Sequence, residues 1–364
     1  MSQNMHLSSL HLTQFKNYAR LDHVFASHLN LIVGPNGTGK TNVLDAIYFL
    51  CNTKSAFLPF DLSAIMHEKD FFRVEGHFVE KDKQVKVECV CQKEQAKVFL
   101  VDGKSPERLS GYIGRFPVVL VSPYDTDLIR EGSETRRKFF DLVLSQANAE
   151  YLEKLLVYNR LLKQRNALLK QMAEAGKLNV SLLSVYDDQM LPLNQYISNE
   201  RNLFVKSFLS SFQKAYGQLA VAAEEPQFQY RSECVNEDFS FRFLRNHQQD
   251  LKAQRTLLGI HSDDYDFLLN GSAVKRFASQ GQQKTFVLAL KLAHFHFVSN
   301  IRKKKPLLLL DDIFDRLDEN RVFNLAQLVN AGTFGQVFIT DSTPKRIASL
   351  FASENKEIAT FNTI

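Results

Sequence analysis

Apolar and polar positions follow three regimes along the chain. From Leu7 to about Ser122 they mostly alternate, the period of half-buried strands. Phe71 to Val101 is the clearest stretch, and turn residues at Lys81-Asp82-Lys83 and Asp102-Gly103 predict antiparallel hairpins. One segment breaks the alternation. The short run Leu31-Ile32-Val33 enters a glycine-rich loop, and behind it Val43, Leu44, Ile47 and Leu50 recur at helical spacing, predicting a helix over Thr41 to Cys51. From about Gly132 to Asn246 the period lengthens to that of helices. Phe139 to Ala173 and Val180 to Phe212 are rich in Leu, Lys, Gln and Glu and poor in Gly and Pro, which predicts two antiparallel helices joined near Gly176. From about Gln254 helix and strand alternate again, with Pro306 to Leu310 and Gln336 to Thr340 reading as buried parallel strands. With no internal repeat, residues 1–125 and 250–364 read as two halves of one α/β lobe carrying a mixed sheet and antiparallel hairpins. Residues 126–249 read as an inserted α-helical lobe.

Composition adds bounds rather than direction. At 364 residues, 45% hydrophobic and 23% charged, the chain has ample core for one large or two medium domains. No apolar run approaches the roughly 18 residues of a membrane span. The opening Met-Ser-Gln-Asn-Met-His lacks a basic segment followed by an apolar one, so a cytoplasmic protein with no membrane partner is expected. Cys51, Cys89, Cys91 and Cys234 show no Cys-x-x-Cys spacing and are expected as reduced thiols. A net charge of +5 permits a polyanionic partner without demanding one.

Three segments carry chemistry. The loop Gly34-Pro35-Asn36-Gly37-Thr38-Gly39-Lys40-Thr41 follows a strand and opens a helix, the context of a P-loop that binds ATP. Its glycines let backbone N–H groups close around phosphates, Lys40 is placed to reach the β- and γ-phosphates, and the Thr41 hydroxyl is placed to ligate Mg²⁺. Leu307 to Leu310 followed by Asp311-Asp312 has the form of a Walker B strand; on its own it also fits a buried strand ending in a polar turn. Beside the P-loop, Asp311 is assigned to the Mg²⁺ shell and Asp312 to the attacking water. Phe277-Ala278-Ser279-Gln280-Gly281-Gln282-Gln283-Lys284 precedes a helix, where Ser279 fits either an anion site or a simple N-cap.

The order P-loop, Ser-x-Gly-Gln helix start, Walker B strand and Leu317-Asp318 is similar to the ABC ATPase plan. That plan implies that Ser279, Gly281 and Gln282 meet the nucleotide held by a second copy, and that Leu317-Asp318 forms a loop crossing an ATP-dependent homodimer. Within this superfamily the chain resembles the RecF family of bacterial recombination mediators over nearly its full length. The resemblance rests on Phe15-Lys16-Asn17-Tyr18, on Ser122-Pro123 with Arg136-Arg137 and Asp141, on the helix Leu161 to Lys170, and on Gly259-Ile260-His261-Ser262-Asp263-Asp264. It departs from the pattern at Ala278 of the signature and at Ile260 and Ser262, and Asp341-Ser342-Thr343 stands where transporter ATPases carry a switch histidine. His261, Asp263 and Asp264 also admit a reading as metal ligands, but no further His or Cys lies at ligand spacing; a hydrogen-bonded network near the active site fits better.

The resemblance implies slow ATP hydrolysis, binding to duplex or gapped DNA or single-strand/duplex junctions, and RecR and RecA as partners. Candidate phosphate contacts are Lys16, Arg136-Arg137-Lys138, Lys163 with Arg165 and Lys170, and Arg302 to Lys305, each of which also fits an ordinary solvated face. No base-reading motif appears, so any binding is expected to depend on phosphates and shape. Two other functions fit the motifs: a soluble ATPase subunit of a transporter, and a nucleotide-gated DNA scaffold without significant turnover.

Overall fold

The computed structural model describes residues 5–220, 224–314, 318–343, 350–351 and 358–363. The chain divides into two compact units, the first formed by Met1–Thr126, Lys214–Ala223 and Ser279–Ile364, the second by Asp127–Gln213 and Glu224–Ala278.

The first unit contains two five-stranded sheets. One is antiparallel, in the order Tyr18–Val24, Met5–Phe15, Phe71–Glu80, Lys83–Gln92, Val98–Val101. Its alternating burial matches the alternation of the sequence, since one face packs inward and the other meets water. The predicted hairpin turns are present: Lys81, Asp82, Asp102 and Gly103 all adopt left-handed φ, as a two-residue turn between right-twisted strands requires. The other sheet is parallel, in the order Ile358–Asn362, Leu29–Val33, Val337–Asp341, Leu307–Asp311, Val118–Val121. Its inner strands are buried throughout, which is why they read as unbroken apolar runs. The helix Lys40–Asn52 packs against strands of both sheets and is buried from Val43 onward.

Gln336 staples the two sheets. Its side-chain amide accepts from Leu7 N at 2.7 Å and donates to Leu7 O at 2.8 Å and Ala26 O at 2.7 Å. It completes backbone pairing where the first strand shifts register between Leu7 and Ser9.

The second unit is helical, with a three-stranded antiparallel sheet of Ser272–Ala273, Asp264–Leu269 and Pro226–Arg231 that the sequence pattern did not announce. The predicted helical stretch from Phe139 to Ala173 is two helices, Ser133–Ala147 and Ala149–Glu174. Between them Asn148 is extended, and its side chain caps the second helix by accepting from Tyr151 N. Gly176, left-handed, does lie in the link to Val180–Leu219.

Two fully buried arginines organise this unit. Arg201 pairs with both oxygens of Asp141 at 2.9 and 3.0 Å, with Asp263 at 2.6 Å and with Ile260 O at 2.9 Å. Arg165 pairs with Asp187 at 3.0 Å, Asp250 at 2.7 Å and the Thr256 hydroxyl at 2.8 Å. Arg136 grips Asp264 with two nitrogens at 2.7 and 2.9 Å, and Arg137 donates to Asp263 O at 2.6 Å. Arg165 is therefore an internal cation and Arg136 is largely buried with its charge met by Asp264, whereas Arg137 is half-buried. His261 is satisfied on both ring nitrogens, by the Tyr158 hydroxyl at 2.7 Å and Thr256 O at 3.0 Å. A carbonyl can only accept, so Nε2 carries the proton and Nδ1 accepts from Tyr158. Burial lowers its pKa and keeps the ring neutral. That leaves no nitrogen for a metal, and no metal-holding cluster occurs among the described residues.

Replacing Arg201 by Leu should strip Asp141 and Asp263 of their buried counter-charge and cost about 3–5 kcal/mol, seen as an earlier denaturation midpoint. Gln336→Leu should leave the buried Leu7 N–H and C=O unpaired, Ala26 O keeping its bond from Asn30 Nδ2, and cost about 2–4 kcal/mol in the same measurement.

Candidate nucleotide site

The P-loop links the strand Leu29–Val33 to the helix Lys40–Asn52 at the carboxyl end of the parallel sheet, where open α/β sheets place ligands. Gly37 and Gly39 have φ of 85° and 100°, a backbone that disfavours side chains. Pro35, Asn36 and Gly37 are exposed at the rim. A Cβ on Gly34 would meet Thr363 Oγ1 at 2.3 Å, because the edge strand ends against the loop. The hydroxyls of Thr38 and Thr363 lie 2.6 Å apart, and Thr38 donates onward to Pro35 O at 2.8 Å.

Lys40 is buried, with its ammonium curled inside the loop and donating to Gly34 O at 2.9 Å and Pro35 O at 3.1 Å. Phosphate oxygens are stronger acceptors than these carbonyls, so exchange onto an anion is favourable.

Behind the loop, Thr41 Oγ1 donates to both oxygens of Asp311 at 2.9 and 3.1 Å. Thr340, at the end of the neighbouring strand, donates to Asp311 Oδ1 at 2.8 Å and accepts from Asp312 N at 2.9 Å. Burial raises the pKa of Asp311, against the bonds from Thr340 and Thr41, which lower it. Asp312 follows in a left-handed conformation, φ 44°, which Asp tolerates better than most residues. Asp341, where transporter ATPases carry a histidine, is buried and accepts from Thr343 N at 2.5 Å.

Ser279 is exposed and caps the helix Gln280–Arg302: its hydroxyl oxygen accepts from Gln282 N at 3.2 Å, and Gln282 Oε1 accepts from Ser279 N at 2.7 Å. This is a capping box, and accepting that bond leaves the Ser279 hydroxyl its own proton to donate. Gly281 lies over Arg321, whose guanidinium a Cβ there would approach to 3.4 Å. Asp318 caps the helix Glu319–Asn330 and pairs with Arg321, which reaches Thr285 on the Ser279 helix at 2.5 Å. The two predicted trans elements are thus joined to each other through Arg321, while Leu317 lies outside the described residues.

Sequence reasoning missed Thr340, Asn17 and Thr363. Thr340 was legible only as the end of a buried strand. Asn17 belongs to the Phe15-Lys16-Asn17-Tyr18 run, whose place the structure supplies: Lys16 pairs with buried Asp45 of the P-loop helix at 2.6 Å, and Asn17 donates to Thr38 O at 3.2 Å. Lys16 is therefore an internal cation too. Lys304 pairs with Glu80, and Lys305 donates to Gly332 O at 2.7 Å, whereas Lys138, Lys163, Lys170 and Lys303 are exposed.

No helix among the described residues is long and apolar enough to cross a membrane. The family described as RecF/RecN/SMC N terminal domain matches residues 6–359. A DNA replication and repair protein RecF of Cytophaga hutchinsonii is 41% identical over 357 residues, 98% of this chain and 94% of that protein. A solved structure of the recombination mediator protein RecF-ATP in the RecFOR pathway superposes with a TM-score of 0.86 at 29% identity, covering 94% of this chain and 93% of the other. An Smc head domain from Pyrococcus furiosus shares the fold, with a TM-score of 0.55 at 17% identity over 98% of this chain and 93% of the other. By sequence and by fold, the chain belongs to the RecF family, within the wider RecF/RecN/SMC group built on the ABC-type ATPase fold.

Proposed function

We propose that this protein is an ATP-dependent DNA-binding protein of recombinational repair, in which ATP pairs two copies on DNA. The observation that carries the proposal is the Thr41–Asp311–Thr340 cluster behind the P-loop. Thr41 and Asp311 oxygens stand 2.9 and 3.1 Å apart, close to the separation of about 3 Å between adjacent corners of an octahedron with bonds of about 2.1 Å. These hard oxygen donors fit Mg²⁺, which when bound would neutralise charge on the β- and γ-phosphates. The relative solved as RecF-ATP supports ATP as the nucleotide.

In this proposal the backbone from Gly34 to Gly39 wraps the phosphates and Lys40 holds the β- and γ-phosphates. Asp312 orients the attacking water. Its side chain is one methylene shorter than the Glu of transporter ATPases, consistent with slow hydrolysis. Ser279, Gly281, Gln282 and Asp318 of a second copy complete the site. DNA is bound through phosphates, as duplex, gapped duplex or single-strand/duplex junction, with Lys138, Lys163, Lys170 and Lys303 as the remaining exposed candidates. RecR and RecA are the protein partners the family suggests, RecA being placed at single-strand gaps.

Lys40→Arg should retain part of the nucleotide affinity and slow phosphate release at least tenfold; unchanged turnover would remove the role given to Lys40. Ser279→Arg should abolish dimers formed with ATP while leaving the ADP-bound monomer as it was. Light scattering with ATP, ADP and no nucleotide, each with and without gapped DNA, reads this directly. Dimers of undiminished strength in Ser279→Arg would refute completion of the site by a second copy.

A further inference from the structure

The turn between the first two strands packs on the P-loop through a directed relay. Asn42, in the first turn of the P-loop helix, donates from Nδ2 to Asn17 Oδ1 at 2.7 Å. That bond orients the Asn17 amide, whose Nδ2 then donates to Thr38 O at 3.2 Å. A flipped Asn17 would set oxygen against oxygen at Thr38 and nitrogen against nitrogen at Asn42, so one orientation satisfies both contacts. The fit is close: a Cβ on Gly39 would lie 2.5 and 2.7 Å from the two Asn17 amide atoms and 2.9 Å from the Tyr18 ring. Lys16, next in the turn, is anchored to Asp45, which also accepts from Ser55 Oγ and Ala56 N, both at 2.7 Å.

A planar trans peptide points its C=O and the next N–H in opposite directions. Holding the Thr38 carbonyl outward toward Asn17 therefore aims the Gly39 N–H the other way, toward the inside of the loop. We propose that Asn17 is a positioning residue for the phosphate site: directed by Asn42, it fixes the Thr38–Gly39 peptide so that the Gly39 N–H faces a phosphate oxygen. This rests on the ATP-binding proposal above.

The test is calorimetric titration of the full-length protein with ATP and magnesium. Wild type comes first; if it does not bind ATP, the nucleotide proposal itself falls, before any variant is made. Given wild-type binding, Asn17→Leu keeps the volume and loses both hydrogen bonds, and should weaken ATP about fivefold. Asn42→Ala should weaken it about two- to threefold, roughly half that effect in free-energy terms. The double variant should be no weaker than Asn17→Leu alone, because Asn42 acts only through Asn17. A merely space-filling Asn17 would be replaced by Leu without loss, and independent structural roles would give additive losses; either result overturns the proposal. Where Asn17→Leu fails to fold, Asn42→Ala decides alone, and wild-type affinity there overturns the relay.

Discussion

The first unit depends on one carboxylate. Asp311 ends a strand of four buried leucines and receives hydroxyl protons from Thr41 on the P-loop helix and Thr340 on the adjacent strand. Two strands already paired through their backbones and the helix packed on them are thereby held at one point. Burying a carboxylate is costly unless it is hydrogen-bonded. Here the donors come from the elements that must converge for a phosphate and a cation to share a site.

The second unit solves a related problem with the opposite sign. Arg165 and Arg201 each carry a cation into the interior and are met by two carboxylates and further oxygens. Such groups stabilise little compared with an apolar core but tolerate few alternative arrangements. They set the spacing of helices from distant parts of the sequence, and the Gly259 to Asp264 run is where both networks end: Thr256 and His261 lead to one, Ile260 and Asp263 to the other.

Much of the fold and the centre of the site could be read from sequence because their chemistry is contiguous. A P-loop is eight consecutive residues whose backbone does the binding, and the strand ending in Asp311 announces itself by its leucines. What could not be read depends on contacts between distant residues. Arg165 looks like part of a basic helix face with Lys163 and Lys170, yet its carboxylates lie 22 and 85 residues away. The break at Asn148 was hidden because apolar periodicity continues through it; its extended backbone ends one helix and its side chain caps the next at Tyr151 N. Ser279 shows a third kind of ambiguity, since an N-cap and a phosphate donor use different parts of one hydroxyl.

The staple at Gln336 makes the first strand a ruler. One end of that strand is fixed at Leu7 by the Gln336 amide, and just beyond the other end stands Asn17 against the P-loop. Each strand residue adds about 3.4 Å and reverses the facing side. A single deletion between these points would either draw Asn17 back from Thr38 or pull Leu7 off its staple. The length of this segment is therefore under tighter constraint than its exposed side chains, and the bulge beside Leu7 is the one place where the strand already absorbs a residue.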